Sequence, residues 1–555
     1  MFKLNRPEIL DTLEYAEKNK SDRAKISAVL QKAAKFQGLN YREASLLLAG
    51  AENDELFALA GEIKRRFYGS RIVLFAPLYL SDYCVNTCTY CPFHAGSNMP
   101  RKKLSRDEIE TQVRALLEMG HKRVVIEAGD HPEHNTIDYI TDAIDAIYGV
   151  RHENGAIRRI NVNIGASDVE TYAKLKAANI GTYTLFQETY DRERYEEVHP
   201  GNAPKSSYEW QLQAMDRAMQ GGLDDVGMGV LFGLSDYRFE VAALLSHAEY
   251  LEATYGAGPH TISVPRMRGR VSENPALLPK LRKEMPAPGH FLRSEECKGE
   301  VFAHSAEGRS PVSPETSDSG DTFPRSRAES AISEAELLRI VAVIRIAAPY
   351  TGIIASTREN ADTRAKMLAA GVSQISGGSR TNVGGYGHRE QMPAAAHSPE
   401  NESGKCSDAG GEAPFRRGQV SAAAHSLEAE GSSDAVREPG VVQFKTHDNR
   451  TLGEVVSWLI ENRHLPSFCT ACYRKGRTGD RFMQLCKSGE IQNCCGPNAI
   501  LTLQEYLIDY ADERTKISGE KLIAREIEKI PSRDIKNFTL EHLEKIKSGG
   551  RCFSL

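Results

Sequence analysis

Eight of the 11 cysteines in this 555-residue chain fall in two short stretches. Cys84, Cys88 and Cys91 form one, Cys469, Cys472, Cys486, Cys494 and Cys495 the other, and Cys297, Cys406 and Cys552 stand alone. A large chain without a secretion signal keeps its thiols reduced, so such groups read as metal ligands and not as a disulfide framework. The first group is spaced C-x3-C-x2-C in YLSDYCVNTCTYCPFH. Three thiolates are one fewer than a closed zinc site or an ordinary four-iron cluster takes, which leaves an iron open to another ligand. A zinc knuckle completed by His94 is the alternative. In the second group Cys469 and Cys472 form C-x2-C, and Cys495 follows 22 residues later. Cys494 next to it and Cys486 between them leave the third ligand open, and a four-cysteine zinc ribbon is the rival arrangement.

Elements that position these residues follow from the hydrophobic pattern. After a helical region over 1–69, β-branched apolar runs alternate with stretches of helical period, as in repeated βα units. Eight strands are expected, beginning at Arg71, Arg123, Ile160, Thr182, Val226, Thr261, Thr351 and Val372, with helices such as 106–119, 167–178, 207–220 and 239–255 between them. The economical fold is an α/β (βα)8 TIM-type barrel over 70–386, whose active face lies at the C-terminal ends of the strands. Two stretches rich in Ser, Gly, Ala, Pro and Glu, 269–331 and 387–440, break the rhythm and are expected to be low-complexity insertions without chemistry. His304 and His397 lie within them. From 441 to 555 the chain reads as a mainly helical module that carries the second cysteine group.

A formal charge of −5 over this length gives no basic field to recruit nucleic acid or anionic lipid. No run approaches the ~20 apolar residues that cross a bilayer. The first twenty residues carry acids and a helical period where a signal peptide needs an apolar core, so a soluble, cytoplasmic protein is expected.

A C-x3-C-x-aromatic-C loop after the first barrel strand resembles the signature of the radical S-adenosylmethionine (SAM) superfamily. That resemblance implies a 4Fe-4S cluster on Cys84, Cys88 and Cys91 whose open iron takes SAM, with Tyr90 beside the adenine. It places Ala128, Gly129 and Asp130, the end of EAGD, at the family's contact to the SAM amino group. The usual GGE is changed there, so the backbone carries the expectation more than the side chain. Glu188 in FQETYD closes the fourth strand where it could hold the SAM ribose or amino group. Gly227 and Gly229 in GMGVLFG permit the close backbone approach of an adenine-binding strand.

The C-terminal SFCTACYRKGRTGD, the C-x2-C-x22-C array and the following PNA and EYLIDYA resemble the HydG family, the tyrosine lyases of FeFe-hydrogenase maturation, and the likeness extends over almost the whole chain apart from the insertions. It implies a second, auxiliary iron-sulfur cluster on Cys469, Cys472 and Cys495 bearing an extra iron. The implied reaction cleaves the Cα–Cβ bond of L-tyrosine to p-cresol and dehydroglycine, which then yields carbon monoxide and cyanide. His260, just before the sixth strand, matches the family's histidine for the extra iron; if so, the C-terminal module caps the barrel's N-terminal mouth. For the tyrosine carboxylate, Arg358 leaves the seventh strand toward the active face, with Ser356 and Ser376 to assist and Arg266 as a lesser candidate.

The nearest enzymatic rival is the 2-iminoacetate synthase of thiazole biosynthesis, a tyrosine lyase without the second array. A reading of another class is a non-catalytic iron-sulfur carrier or zinc-stabilised scaffold. The HydG resemblance implies other maturation proteins and an electron donor as partners.

Overall fold

The computed structural model describes residues 1–153, 155–268, 331–387 and 443–555. The insertions expected at 269–331 and 387–440 lie outside these residues except for their ends, 331 and 387, and Cys297, Cys406, His304 and His397 lie outside them too.

Eight parallel strands form the expected barrel: β1 (Arg71–Ser81), β2 (Arg123–Ala128), β3 (Arg159–Asn163), β4 (Tyr183–Thr184), β5 (Val226–Gly229), β6 (Thr261–Ser263), β7 (Gly352–Ala355) and β8 (Gln374–Ser376). Each pairs with the next, and β1 pairs with both β2 and β8, so the ring closes and leaves no open edge. Outer helices bury one apolar stripe against it. The helix Arg106–Glu118 begins on a Ser105/Glu108 capping box and buries Ile109, Val113, Leu116 and Leu117. The helix expected over 207–220 is two, Tyr208–Leu212 and Ala214–Gln220, parted at Gln213, whose ψ of 9° leaves the helical well. Four N-terminal helices, from Arg6–Asn19 to Asn53–Tyr68, pack on the barrel helices Tyr237–Tyr255 and Glu334–Ala347.

A ninth strand, β9 (Leu465–Ser467), was not anticipated. It runs parallel to the first residues of β1, with Arg71 opposite Leu465 and Val73 opposite Ser467. Val73 also faces Gln374 of β8, so β9 takes the edge that β2 occupies farther along. This short strand delivers the C-terminal module to the N-terminal mouth of the barrel. The residues that follow cover that mouth: Tyr473 meets Thr182 before β4, and Glu505 of the helix Ile491–Asp509 pairs with Arg158 before β3. Arg123 at the start of β2 donates to the Cys469 carbonyl (2.9 Å), and Gly479 N–H donates to Asp225 just before β5 (3.0 Å). Among the described residues no helix is long and apolar enough to cross a membrane.

Candidate functional site

The C-terminal mouth holds a cavity lined by Cys84, Cys88 and Cys91 from the loop after β1, and by residues from most other strand ends. Arg101 staples that loop, donating to the carbonyls of Asp82 (2.7 Å), Phe93 (3.0 Å) and His94 (2.6 Å). Asn86 links it outward: its amide donates to Asp130 Oδ2 (3.1 Å) and its Oδ1 accepts from Lys205 N–H (3.0 Å). Gly129 is required by this packing, because a Cβ there would fall 2.3 Å from the Tyr83 carbonyl. Its own N–H donates to Ser81 O (3.0 Å) and its carbonyl accepts from Asn135 (2.7 Å). The fold thus uses the Gly129 backbone, and Ala128 and Asp130 line the cavity beside it.

Burial pushes all three thiols up, Cys88 to about 12; Asp130 adds to it at Cys84, Cys84 at Cys88, and Cys88 with Cys84 at Cys91. The cation facing them is Lys205, which is already paired with Glu188 at 2.7 Å. Three thiols lining one cavity, one buried and two partly so, that cost so much to ionise fit a cationic iron cluster, whose charge offsets that cost. His94 is not among the cavity residues. No three His, Cys, Asp or Glu side chains among the described residues are set to share one metal ion. A cluster asks for a different arrangement, since each thiolate binds its own iron.

Glu188 lines the cavity with a left-handed backbone, φ 69°. A non-glycine residue in that region is held there by its surroundings. Here Leu231 N–H donates to the Glu188 carbonyl (2.9 Å), and Glu240 accepts from the backbone N–H of Tyr190 (2.8 Å) and from the Thr189 hydroxyl. The Tyr90 hydroxyl donates to His199 Nε2 (2.7 Å), because His199 Nδ1 is turned to the Tyr195 carbonyl (2.8 Å). Gly227 and Gly229 do not line the cavity. The space a Cβ would need is taken by the Thr261 and Thr184 hydroxyls at Gly227 and by the Phe186 ring at Gly229.

Deeper in the cavity Arg358 faces Glu127 and Tyr79, and its guanidinium lies 4.9 Å from the Phe444 ring centre. Phe93 stacks on Phe444 at 5.2 Å, so a cation and a carboxylate meet an aromatic wall. Burial raises the Glu127 carboxyl, and the Arg358 cation draws it back down. Ser356 and Ser376 lie outside the cavity lining. Their hydroxyls accept from the backbone N–H of Arg358 (3.3 Å) and Thr357 (3.2 Å), shaping the turn that carries Arg358. Arg266 is spent on a two-pronged pair with Glu359 (2.9 and 2.7 Å).

The second thiol group sits at the opposite mouth. Cys472 and Cys495 share a hydrogen bond, which with Arg71, Arg477 and Arg123 draws the Cys495 thiol down while Cys472 keeps the proton. Burial raises Cys469. The neighbouring Cys494 is turned aside, its Sγ accepting from Arg477 Nη1 at 2.8 Å. Cys486 is buried nearby, its thiol raised by desolvation. Three thiols among guanidinium groups fit an anionic thiolate-held cluster. His260 lies at the same mouth: Nε2 is 3.5 Å from the hydroxyl of Tyr473, the residue after Cys472, and Phe482 covers its ring at 4.8 Å. Burial draws the imidazole below its usual range, against the pull of Asp225.

Lys205, Glu127, Tyr79, Asn86, Trp210 and Phe444 also belong to the first site, and sequence reasoning did not find them. They carry no motif and reach the cavity only through folding.

The radical SAM superfamily description matches residues 78–245, and that of the biotin and thiamin synthesis associated domain matches 307–463. A 2-iminoacetate synthase of Salmonella typhimurium is 25% identical over 366 residues, covering 65% of this chain and 81% of its own. Among solved structures, the HydG of Carboxydothermus hydrogenoformans is 32% identical over 97% of this chain and 98% of its own, with a TM-score of 0.67. Another HydG, described as a maturase of the [FeFe]-hydrogenase, is 41% identical over 99% of both chains, with a TM-score of 0.77. This chain belongs to the radical SAM superfamily and, within it, to the HydG family.

Proposed function

We propose that this protein is a cytoplasmic radical SAM tyrosine lyase that supplies carbon monoxide and cyanide for assembly of the FeFe-hydrogenase active centre, alongside other maturation proteins and an electron donor. The observation that carries the reading is the presence of two separate cysteine triads at opposite mouths of one closed barrel.

When bound on Cys84, Cys88 and Cys91, a 4Fe-4S cluster with one iron free of protein thiolate takes SAM and, on reduction, supplies a 5′-deoxyadenosyl radical. Around it the chain's own groups bind and orient. Asp130 and the Glu188–Lys205 pair offer carboxylate oxygens to the SAM ribose and amino groups, and Tyr90 stands by the adenine. Arg358 takes the tyrosine carboxylate, Glu127 faces its ammonium, and Phe93 and Phe444 wall the ring. Enclosure keeps water from the reactive species. Cα–Cβ cleavage then gives p-cresol and dehydroglycine.

At the other mouth Cys469, Cys472 and Cys495 would hold the auxiliary cluster and His260 its extra iron, a metal that would supply a binding site for carbon monoxide and cyanide. The 2-iminoacetate synthases share the first half of this chemistry; the second triad favours the longer sequence here. The test is anaerobic reconstitution with iron and sulfide, then SAM, reductant and tyrosine, scoring all three products. p-Cresol without carbon monoxide or cyanide would leave only the lyase step, and no p-cresol would remove tyrosine as substrate.

A further inference from the structure

Two buried polar atoms at the N-terminal mouth have no hydrogen-bond partner among the described residues: His260 Nδ1 and Asp225 Oδ2. Nδ1 is 3.7 Å from the other oxygen of the same carboxylate, Oδ1. That oxygen in turn accepts the backbone N–H of Gly479 at 3.0 Å, from the module that carries the second thiol triad. Leaving polar atoms buried and unpaired is costly, so a site that keeps two of them on neighbouring side chains has a use for them. The remaining neighbours of the imidazole are the Tyr473 hydroxyl, the Phe482 ring and the cations Arg123 and Arg159. Asp225 is the carboxylate paired with it.

We infer that Asp225 is the positioning residue for His260: it accepts a hydrogen bond from Nδ1–H, leaves the Nε2 lone pair free for ferrous iron, and holds this geometry only when the C-terminal module is docked through Gly479. This rests on the reading of His260 as an iron ligand. A metal-bound imidazole commonly gives its other N–H to a carboxylate, which fixes both tautomer and ring plane. The docking contact is two-sided. Gly479 has φ 56°, a conformation natural to glycine, and a Cβ there would crowd the Asp224 carbonyl at 3.2 Å. The next carboxylate, Asp224, accepts from the Thr478 hydroxyl (2.9 Å) and pairs with Lys176. Asp224 therefore shares the docking role but is not the carboxylate paired with the imidazole.

The amide variant makes the proposal specific. In Asp225→Asn the side chain loses its charge and one of its two acceptor oxygens becomes an NH2 donor. That removes the anionic acceptor for Nδ1–H and weakens the preference for the tautomer that leaves Nε2 free for iron. The experiment is ferrous iron titration of the anaerobically reconstituted full chain, with Mössbauer spectra to separate site iron from cluster iron. Asp225→Asn is expected to weaken site-iron binding about 10- to 100-fold. Asp225→Glu is expected to recover most of it. Wild-type affinity in Asp225→Asn while His260→Ala loses the iron would overturn the positioning role and leave the ligand reading standing. Retention of site iron in His260→Ala would overturn both. If Asp225→Asn does not fold, Asp225→Glu against His260→Ala decides: affinity near wild type supports the proposal, and loss equal to His260→Ala overturns it.

Discussion

Lys205 Nζ lies 2.7 Å from Oε1 of Glu188, and the pair sits beside the first thiol triad with both side chains largely buried. Removing one partner of a buried pair leaves the other charge uncompensated, at a cost of about 3 kcal/mol or more. Lys205→Met is therefore expected to lower the melting temperature and to weaken SAM binding to the reconstituted protein about 10-fold. Equilibrium dialysis with labelled SAM measures the second effect, and an unchanged affinity would show that Glu188 does not face the cofactor.

Arg358 gives a second prediction. Arg358→Lys keeps the charge but loses the planar fork that grips a carboxylate and the face that lies over Phe444. A charge-assisted hydrogen bond contributes roughly 1.5 to 3 kcal/mol, so kcat/KM for tyrosine should fall about 10- to 100-fold. The ratio of 5′-deoxyadenosine to p-cresol should rise, because a loosely held substrate misses the radical. A ratio equal to that of the wild type would place the carboxylate elsewhere.

Cys494 and Cys495 separate cleanly. Arg477 holds the Cys494 thiol, whereas Cys495 shares its hydrogen bond with Cys472. Cys495→Ser should lose the auxiliary cluster's share of iron and sulfide, and Cys494→Ser should keep it. The reverse result would exchange the two assignments.

Lys64 predicts a pH effect on stability. Burial lowers its ammonium to about 7, where its Nζ donates to the Leu368 carbonyl at 2.6 Å. The unfolded chain binds this proton more tightly than the folded one, so the penalty is full below about 7 and fades as pH rises toward the free-lysine range near 10.4. Lys64→Met should stabilise the protein most at and below pH 7. The gain should shrink steadily up to about pH 10, as read from denaturant midpoints across that range.

Spacing along the chain made the metal chemistry legible, since the thiols of each group come from one loop or two neighbouring turns. The barrel was legible because each strand is a short β-branched run with a helix behind it. β9 was not: its LPS segment has a proline opposite Ile72, and only docking against Arg71–Val73 makes it a strand. Lys205, Glu127 and Phe444 were invisible for another reason. Each is an ordinary residue in its own segment and gains a role only where distant segments converge on the cavity. Gly227 and Gly229 stand outside the cavity lining, and the space that glycine frees there is filled by Thr261, Thr184 and Phe186.

The most direct test of two chemistries at two mouths is the double variant Cys469→Ser with Cys472→Ser, assayed anaerobically with SAM, reductant and tyrosine. The account predicts that p-cresol still forms while carbon monoxide and cyanide disappear. Carbon monoxide from the double variant, or loss of p-cresol while the first cluster stays intact, would contradict it.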